Sequence, residues 1–217
     1  MTGIDRRQFI KAAGIGLGAT ALTCAGLGYL AIQSPAQSVD FYEHTGDSKE
    51  REMMKGKILV AYASKLGSTG GVAQAIGEEL AVRGYAVDVK LVKDVRDISS
   101  YGTVLLGSAV RMARWLPEAV DFLEQNAASL ESKTVSYFTV CMTMHADSPE
   151  NRIRAQGITG AARAVREPAA EGFFGGRMDF GQLSFLEQAI LRAKKMPEGD
   201  FRNWDAIRAW AKVLPIG

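Results

Sequence analysis

The sequence has few of the residues that form disulfides, metal centres and hydrolytic triads. Among its 217 residues are only two cysteines, Cys24 and Cys141, and two histidines, His44 and His145. If the N-terminal segment is removed, Cys141 remains alone, which excludes an internal disulfide. Only His145 lies in the region expected to fold, which excludes a multi-histidine metal site there, and no spacing around it suggests a Ser-His-Asp triad. We expect Cys141 to be a small buried side chain at the end of a strand.

The chain also lacks a strong excess of charge of either sign. Its formal net charge is +2, and the first 36 residues supply +2 of it, as three basic residues minus Asp5. The remaining residues are therefore close to neutral, which argues against a nucleic-acid partner. Apolar residues make up 47% of the chain and charged residues 23%, a balance typical of an ordinary globular domain.

The N-terminal segment carries no charge from Ala12 to Ser38 and directly follows the sequence DRRQFIK. The pair Arg6–Arg7 with its flanking residues resembles the consensus of twin-arginine (Tat) export signals. Small residues at positions 34 and 36 allow cleavage after Ala36, so residues 1–36 are predicted to be a Tat signal recognised by the Tat translocase. Alternatively, the uncharged residues 12–32 are long enough to stay as a membrane anchor. Either way, we expect an extracytoplasmic protein.

Residues 37–56 hold polar and charged clusters without apolar periodicity, which indicates a linker before a domain over 57–217. In that domain, short apolar or alternating runs follow one another with amphipathic segments between them. The predicted strands are 57–63, 85–92, 103–110, 134–142 and 169–176. The predicted helices are 69–83, 116–130, 148–166 with a break near Gly157 or Gly160, 185–196 and 203–214.

Alternating strands and helices predict an α/β fold with a doubly wound, five-stranded parallel sheet and helices on both faces. A familiar order for five such strands is 2-1-3-4-5, in which ligands bind at the carboxyl ends of strands 1 and 3. The loop that leaves strand 1 lies at this point. Its sequence, AYASKLGSTGGVA, combines glycines with hydroxyl residues before a helix.

That loop suits a terminal monophosphate. The amide groups at a helix start bind anions, Ser64, Ser68 and Thr69 can donate hydroxyl hydrogen bonds, and Lys65 can add charge. The glycine spacing matches neither the Walker A loop nor the dinucleotide fingerprint. The alternative is that Ser68 or Thr69 only caps the helix.

Several blocks together resemble a known family. SKLGST (64–69) is similar to the FMN-phosphate loop of flavodoxins, with Leu66 where threonine is frequent. The segments LGSAVRMARWLPEAVDFLEQN, SYFTVCMTMHADSPENR, GFFGGRMDFGQLSFLEQAIL and NWDAIRAWA resemble successive blocks of the flavodoxin-like, quinone-dependent protoporphyrinogen oxidases. The resemblance spans about residues 57 to 214. It implies FMN, with the phosphate in 64–69 and the ring between the loops after strands 3 and 4.

The FMN-binding residues that this resemblance implies fall into three groups, while no catalytic residue is assigned. They are Ser64, Lys65, Leu66, Gly67, Ser68 and Thr69 after strand 1; Ser108, Ala109, Val110 and Arg111 after strand 3; and Thr139, Val140, Cys141, Met142 and His145 after strand 4.

The side chains near the expected ring leave alternatives open. Trp115, Met112 and Met144 could flank the ring, or they could pack in the core or make a contact at the start of a helix. Arg111, Arg114, His145 and Arg152 could favour the reduced flavin by their positive charge, or the arginines could be solvated or pair with Asp147 and Glu150.

The family resemblance implies an oxidoreductase that passes electrons from an organic donor to a quinone. The alternative is a non-catalytic FMN electron carrier that docks to a membrane redox partner.

Overall fold

A computed structural model describes residues 56–217 of the chain. The predicted export signal or anchor (1–36) and almost all of the predicted linker (37–56) lie outside these described residues. No helix within residues 56–217 has the length and apolar character to cross a membrane.

The described residues alternate strands and helices over their whole length. The strands are β1 (Lys57–Ala63), β2 (Ala86–Leu91), β3 (Thr103–Arg111), β4 (Arg114–Trp115), β5 (Thr134–Val140), β6 (Glu171–Phe174), β7 (Arg177–Met178) and β8 (Gly199–Asp200). The α-helices are α1 (Ser68–Val82), α2 (Pro117–Gln125), α3 (Ala127–Leu130), α4 (Pro149–Gln156), α5 (Gly160–Val165), α6 (Phe185–Ala193) and α7 (Trp204–Lys212). Short 3-10 turns cover Val92–Asp94, Met142–His145, Gly157–Thr159 and Phe180–Gln182.

Five parallel strands form the main sheet in the spatial order β2-β1-β3-β5-β6. Numbered among the parallel strands alone, this is the predicted order 2-1-3-4-5, and the predicted fold class is confirmed. Two short additions were not predicted. Strand β4 pairs antiparallel with the end of β3, and β7 pairs antiparallel with β8 as a separate ribbon.

Alternating side chains of each central strand build the hydrophobic core on both faces of the sheet. In β1, Leu59 and Ala61 pack on one face with α2, α3 and α5, while Ile58 and Val60 pack on the other with α1 and α7. All four side chains are almost completely buried. A strand that is buried on both faces has a nearly continuous run of apolar residues. For this reason the sequence KILVAYA was enough to predict β1.

Two predicted helices are interrupted in the structure. The segment predicted as 116–130 ends its first helix at Gln125, and Asn126 separates it from α3. The segment predicted as 148–166 is broken at Gly157–Thr159, at the glycines that the sequence indicated. The predicted fifth strand, 169–176, is shorter and covers Glu171–Phe174.

Candidate functional site

The carboxyl ends of β1, β3 and β5 lie side by side and bring the predicted site residues together. Ala63 is in register with Ser108, and Ser108 is in register with Thr139. One residue further, Ala109 is opposite Val140, which is opposite Phe174 of β6. The three loops that begin after these residues therefore open on one edge of the sheet, where parallel α/β folds bind ligands.

The loop between β1 and α1 is a tight turn. The Ser64 hydroxyl accepts a hydrogen bond from the Gly67 amide at 3.0 Å, and its own hydrogen remains available to a ligand. Gly67 has φ of 81°, a conformation that glycine adopts without steric penalty. This left-handed residue turns the chain directly into α1.

The first turn of α1 keeps amide donors that bond to no side chain among residues 56–217. Gly67 is the N-cap, no side-chain oxygen accepts from the first amides, and no acidic residue lies in the first turn. The alternative prediction, that Ser68 or Thr69 caps this helix, is therefore wrong. Thr69 is completely buried, and its Oγ1 has no hydrogen-bond partner among the described residues. A buried hydroxyl without a partner is unfavourable, so this position suits an incoming acceptor.

Lys65 is engaged in an ion pair. Its Nζ lies 2.6 Å from Oε1 of Glu118 in α2. Burial, the largest single influence, raises the pKa of Glu118, but the hydrogen bond and charge of Lys65 and a backbone hydrogen bond together outweigh it and lower the pKa of this carboxyl below its usual value. Lys65 therefore links the loop between β1 and α1 to α2, and it also adds positive charge to this loop.

The end of β3 is held by hydrogen bonds that use its polar side chains. Ser108 is buried; its hydroxyl donates to the carbonyl of Ala109 and accepts from the Leu116 amide at 3.0 Å. Trp115 is also buried, and its Nε1 donates to Thr139 Oγ1 at 2.9 Å. Its ring packs edge-on against Tyr137 with centroids 5.1 Å apart. Of the two interpretations of Trp115, core packing is the one confirmed.

Between β3 and β4 the chain makes a two-residue hairpin turn with an unusual sequence. Met112 and Ala113 both have positive φ, at 51° and 58°. Such turns favour Asn-Gly, because a side chain in the left-handed region is destabilising by about 1–2 kcal/mol. The Met112 side chain is 90% exposed at the tip, so core packing is wrong for this residue. The hairpin presents Met112 at the mouth of the site.

We expect the double variant Met112→Asn/Ala113→Gly to raise the stability of the folded domain. Relief of the left-handed strain should add about 1 kcal/mol to the free energy of unfolding, or roughly 2–4 °C in Tm. Thermal unfolding followed by circular dichroism measures the change. Ala113→Val is the matched control and should lower Tm, because a β-branched residue fits this conformation poorly. A neutral Ala113→Val would contradict the observed turn.

The loop after β5 forms a 3-10 turn over Met142–His145, in which some side chains are buried and others are exposed. Cys141 and Met144 are buried together with Ala155, so the predicted core role of Cys141 is confirmed. Burial raises the pKa of the Cys141 thiol, which makes it a poor nucleophile at neutral pH. His145 is exposed; its Nδ1 donates to the Met142 carbonyl at 2.9 Å, and its ring contacts the edge of Phe201.

Two of the four cationic residues around the predicted ring position, Arg111 and Arg152, are paired with carboxylates. Arg152 makes two hydrogen bonds to Asp147, which confirms the pairing alternative for this residue. Arg111 is paired with Glu187 of α6 at 2.6 Å, a contact that sequence reasoning missed. Ser184 and Glu187 form a capping box at the start of α6, and this pattern can be recognised in the sequence as a helix start. It gives no indication that Glu187 also pairs with Arg111.

The predicted site residues thus differ in what they expose. Ser108, Thr139, Val140 and Cys141 have buried side chains, so the main chain is the part of them nearest a ligand. Ser64, Lys65, Leu66, Gly67, Ser68, Ala109, Val110 and Met142 are half-buried, and Arg111 and His145 are exposed. A cavity of about 430 Å3 adjoins the loop after β5, with Met144, His145, Arg152, Phe201 and Trp210 in its wall.

The flavodoxin domain family model matches residues 59–203, more than half of the chain. The chain belongs to the flavodoxin domain family. No curated protein matches the sequence. As a flavodoxin domain, the protein is an FMN-binding redox protein, which agrees with the strand order and with the position of the loops described above.

Solved structures with this fold share little sequence with the chain. A flavodoxin from the domain Archaea is 21% identical, with a TM-score of 0.41, over 64% of this chain and 98% of that one. The flavodoxin of Streptococcus pneumoniae TIGR4 is 16% identical, with a TM-score of 0.45, over 72% and 95%. Rubredoxin oxygen:oxidoreductase from Desulfovibrio gigas is 18% identical, with a TM-score of 0.42, over 76% of this chain and 38% of that one. These likenesses concern the fold alone.

The residues at the start of α1 fit the phosphate of FMN. The unpartnered Thr69 hydroxyl, the uncapped amides and the absence of an acid in the first turn together form an anion site. The hydroxyls of Ser64 and Ser68 lie in the same turn. At the neighbouring strand ends, Ala63 of β1 and Val140 of β5 are buried and uncharged, and Ala109 and Val110 of β3 are half-buried and uncharged.

Proposed function

We propose that this flavodoxin-domain protein is an oxidoreductase that passes electrons from an organic donor to a quinone, similar to the quinone-dependent protoporphyrinogen oxidases. In each two-electron oxidation the donor loses two electrons and two protons, and the quinone takes up the same number to become a quinol. Bound FMN supplies the capacity to accept and return electrons. The protein's residues bind the phosphate, orient the flavin and present its partners.

The observation that carries the proposal is an apolar helix face beside the flavin loop. Helix α6 has no buried residue, and Phe185, Leu186 and Ile190 are large, exposed apolar side chains. The ion pair from Arg111 to Glu187 joins this helix to the hairpin that exposes Met112. Exposed apolar side chains grouped at a functional site mark contacts with apolar partners. A lipophilic quinone, or the membrane that contains it, fits this surface.

The cavity beside His145 supports an organic donor. At about 430 Å3 it lies within the size range of small-molecule sites. Aromatic rings of Phe201 and Trp210 and the guanidinium of Arg152 form parts of its wall. The carboxylates of Asp147, Glu171 and Asp200 also line this cavity, and Arg152 is paired with Asp147, so the wall offers aromatic surface rather than an excess of positive charge. Such a wall suits a flat organic molecule, and it favours an enzyme over an electron carrier.

The direct test is turnover of the FMN-loaded protein with protoporphyrinogen IX and a menaquinone analogue. We expect porphyrin fluorescence to appear only when the quinone is present. If neither compound is consumed but the bound flavin exchanges electrons with an added redox protein, the protein is the non-catalytic carrier instead.

We expect the double variant Phe185→Ser/Leu186→Ser to raise the KM for the quinone about a hundredfold or more, with little change in kcat. Each apolar side chain that a partner covers contributes about 1.5–3 kcal/mol, and both contributions are lost in the variant. Steady-state rates at varied quinone concentration measure the effect. Val82→Ser is the matched control, since Val82 is equally exposed but lies at the end of α1. An equal effect of both variants would contradict the role of α6.

The location of the protein is a further part of this proposal. The sequence DRRQFIK and the uncharged residues after it support export by the Tat translocase, followed by cleavage after Ala36 or retention by residues 12–32. Replacing Arg6 and Arg7 with lysine should keep the protein in the cytoplasm, as measured by cell fractionation.

A further inference from the structure

Arg202 lies against the first turn of α1 with one nitrogen unused. Its Nε and Nη2 donate to the two carboxylate oxygens of Asp200, at 2.8 and 2.5 Å. Its guanidinium carbon lies 4.5 Å from the centre of the Trp204 ring, and the side chain is only 15% exposed. Nη1 makes no hydrogen bond within residues 56–217. This nitrogen faces Gly71, where an added Cβ would lie 2.7 Å from it.

The segment that carries Arg202 runs beside the start of the same helix. The amide of Phe201 donates to the carbonyl of Gly176 at 3.0 Å. Gly176 adjoins Ser68, since an added Cβ there would lie 3.6 Å from Ser68 Oγ. Ser68 is the first residue of α1 and Gly71 is in its first turn. Arg202 therefore flanks the helix start that holds the unpartnered Thr69 hydroxyl.

The arrangement holds the guanidinium in place before any ligand arrives. Two charge-assisted hydrogen bonds to Asp200 and the contact with Trp204 fix its plane. The hydrogen bond from Arg202 lowers the pKa of Asp200, which keeps this carboxylate charged at neutral pH. A cation fixed in this way loses little side-chain entropy when its remaining nitrogen binds an anion.

We propose that Arg202 binds the phosphate of FMN through Nη1, and that Asp200 and Trp204 position it. The inference rests on the placement of that phosphate at the start of α1. A phosphate monoester carries up to two negative charges, more than a helix start alone compensates. Lys65 already shares its charge with Glu118, so Arg202 supplies the additional cation.

The experiment compares the dissociation constants of FMN and riboflavin for the full chain, measured by quenching of flavin fluorescence. Arg202→Gln should weaken FMN binding about 10- to 100-fold, the effect of losing one hydrogen bond to a charged group. It should leave riboflavin binding unchanged, because riboflavin has no phosphate. Arg163→Gln is the matched control: Arg163 also makes two hydrogen bonds to one carboxylate, that of Glu171, but lies on α5. It should change neither constant.

A second variant tests the position of the Arg202 side chain without replacing Arg202 itself. Gly71→Ala places a methyl group against Nη1, which should push the flexible end of the side chain away and weaken FMN binding to a similar extent. In the Arg202→Gln background the same change should have no further effect.

Three outcomes would overturn the proposal. If Arg202→Gln leaves FMN binding unchanged, or weakens FMN and riboflavin binding equally, Arg202 does not contact the phosphate. If the unaltered protein binds FMN no better than riboflavin, the phosphate site at α1 itself fails and this inference fails with it.

Discussion

Replacing Thr69 with valine should weaken FMN binding and stabilise the FMN-free protein. In the structure the Thr69 hydroxyl is completely buried and has no partner among the described residues. A hydrogen bond to a charged phosphate contributes about 1.5–3 kcal/mol, so its loss should raise the FMN dissociation constant about 10- to 100-fold. Without ligand, removal of a buried unsatisfied hydroxyl should add about 1 kcal/mol to the free energy of unfolding.

The two opposite effects make this prediction specific. Flavin fluorescence quenching measures binding, and thermal unfolding of the FMN-free protein measures stability. Riboflavin should bind the variant and the unaltered protein equally. Thr159→Val is the matched control, because Thr159 is also completely buried but its hydroxyl donates to the Gln156 carbonyl at 3.1 Å. That variant should be less stable and bind FMN normally. Normal FMN binding by Thr69→Val would place the phosphate elsewhere.

Replacing Gly107 with alanine should cause the largest loss of stability that we predict. Gly107 lies in β3 directly opposite Phe138 of β5, and an added Cβ would overlap the Phe138 ring. Phe138 is completely buried between the sheet and the helices on one face, so its ring has no space to move into. We expect a loss of about 3 kcal/mol, which corresponds to a fall in Tm of roughly 6–12 °C.

A control variant and a compensating substitution show whether the loss of stability comes from the overlap with Phe138 or from any glycine-to-alanine change. Gly157 lies in a turn where an added Cβ would meet no atom within 4 Å, and its φ is negative. Gly157→Ala should therefore change the free energy of unfolding by less than about 0.5 kcal/mol. Phe138→Leu in the Gly107→Ala background should recover part of the loss, because the smaller side chain leaves room for the methyl group. If Gly107→Ala unfolds at the normal temperature, Phe138 does not cover Gly107.

Sequence periodicity predicted the sheet because each central strand is buried on both faces along its own length. In KILVAYA nearly every residue is apolar because nearly every residue of β1 is buried, and the same holds for TVLLGSAV in β3. Ends of elements were less predictable. The division between α2 and α3 at Asn126 depends on local hydrogen bonds, such as Asn126 Nδ2 to the Phe122 carbonyl, and the apolar pattern does not record them.

The hairpin after β3 shows why parts of the site were not predictable. Met-Ala is not a turn sequence, and nothing local indicates two residues with positive φ. The turn follows from the burial of Trp115, which packs on Tyr137 and bonds to Thr139, both in a strand that begins some 19 residues later. A local conformation imposed by tertiary packing leaves no local signal.

Taken by itself, the sequence determined the order of the strands, the buried faces of the helices and the turn of small and hydroxyl residues between β1 and α1, because hydrophobic spacing and turn residues act over a few neighbouring positions. Tertiary structure alone decided which groups at that place are free. It paired Arg111 with Glu187 and Lys65 with Glu118, left the Thr69 hydroxyl without a partner among residues 56–217, and brought Arg202 to Gly71. Such contacts join atoms 53 to 131 positions apart in the chain (Lys65 to Glu118, Gly71 to Arg202), and whether a charge or a hydroxyl is available depends on which atoms folding brings within hydrogen-bond distance.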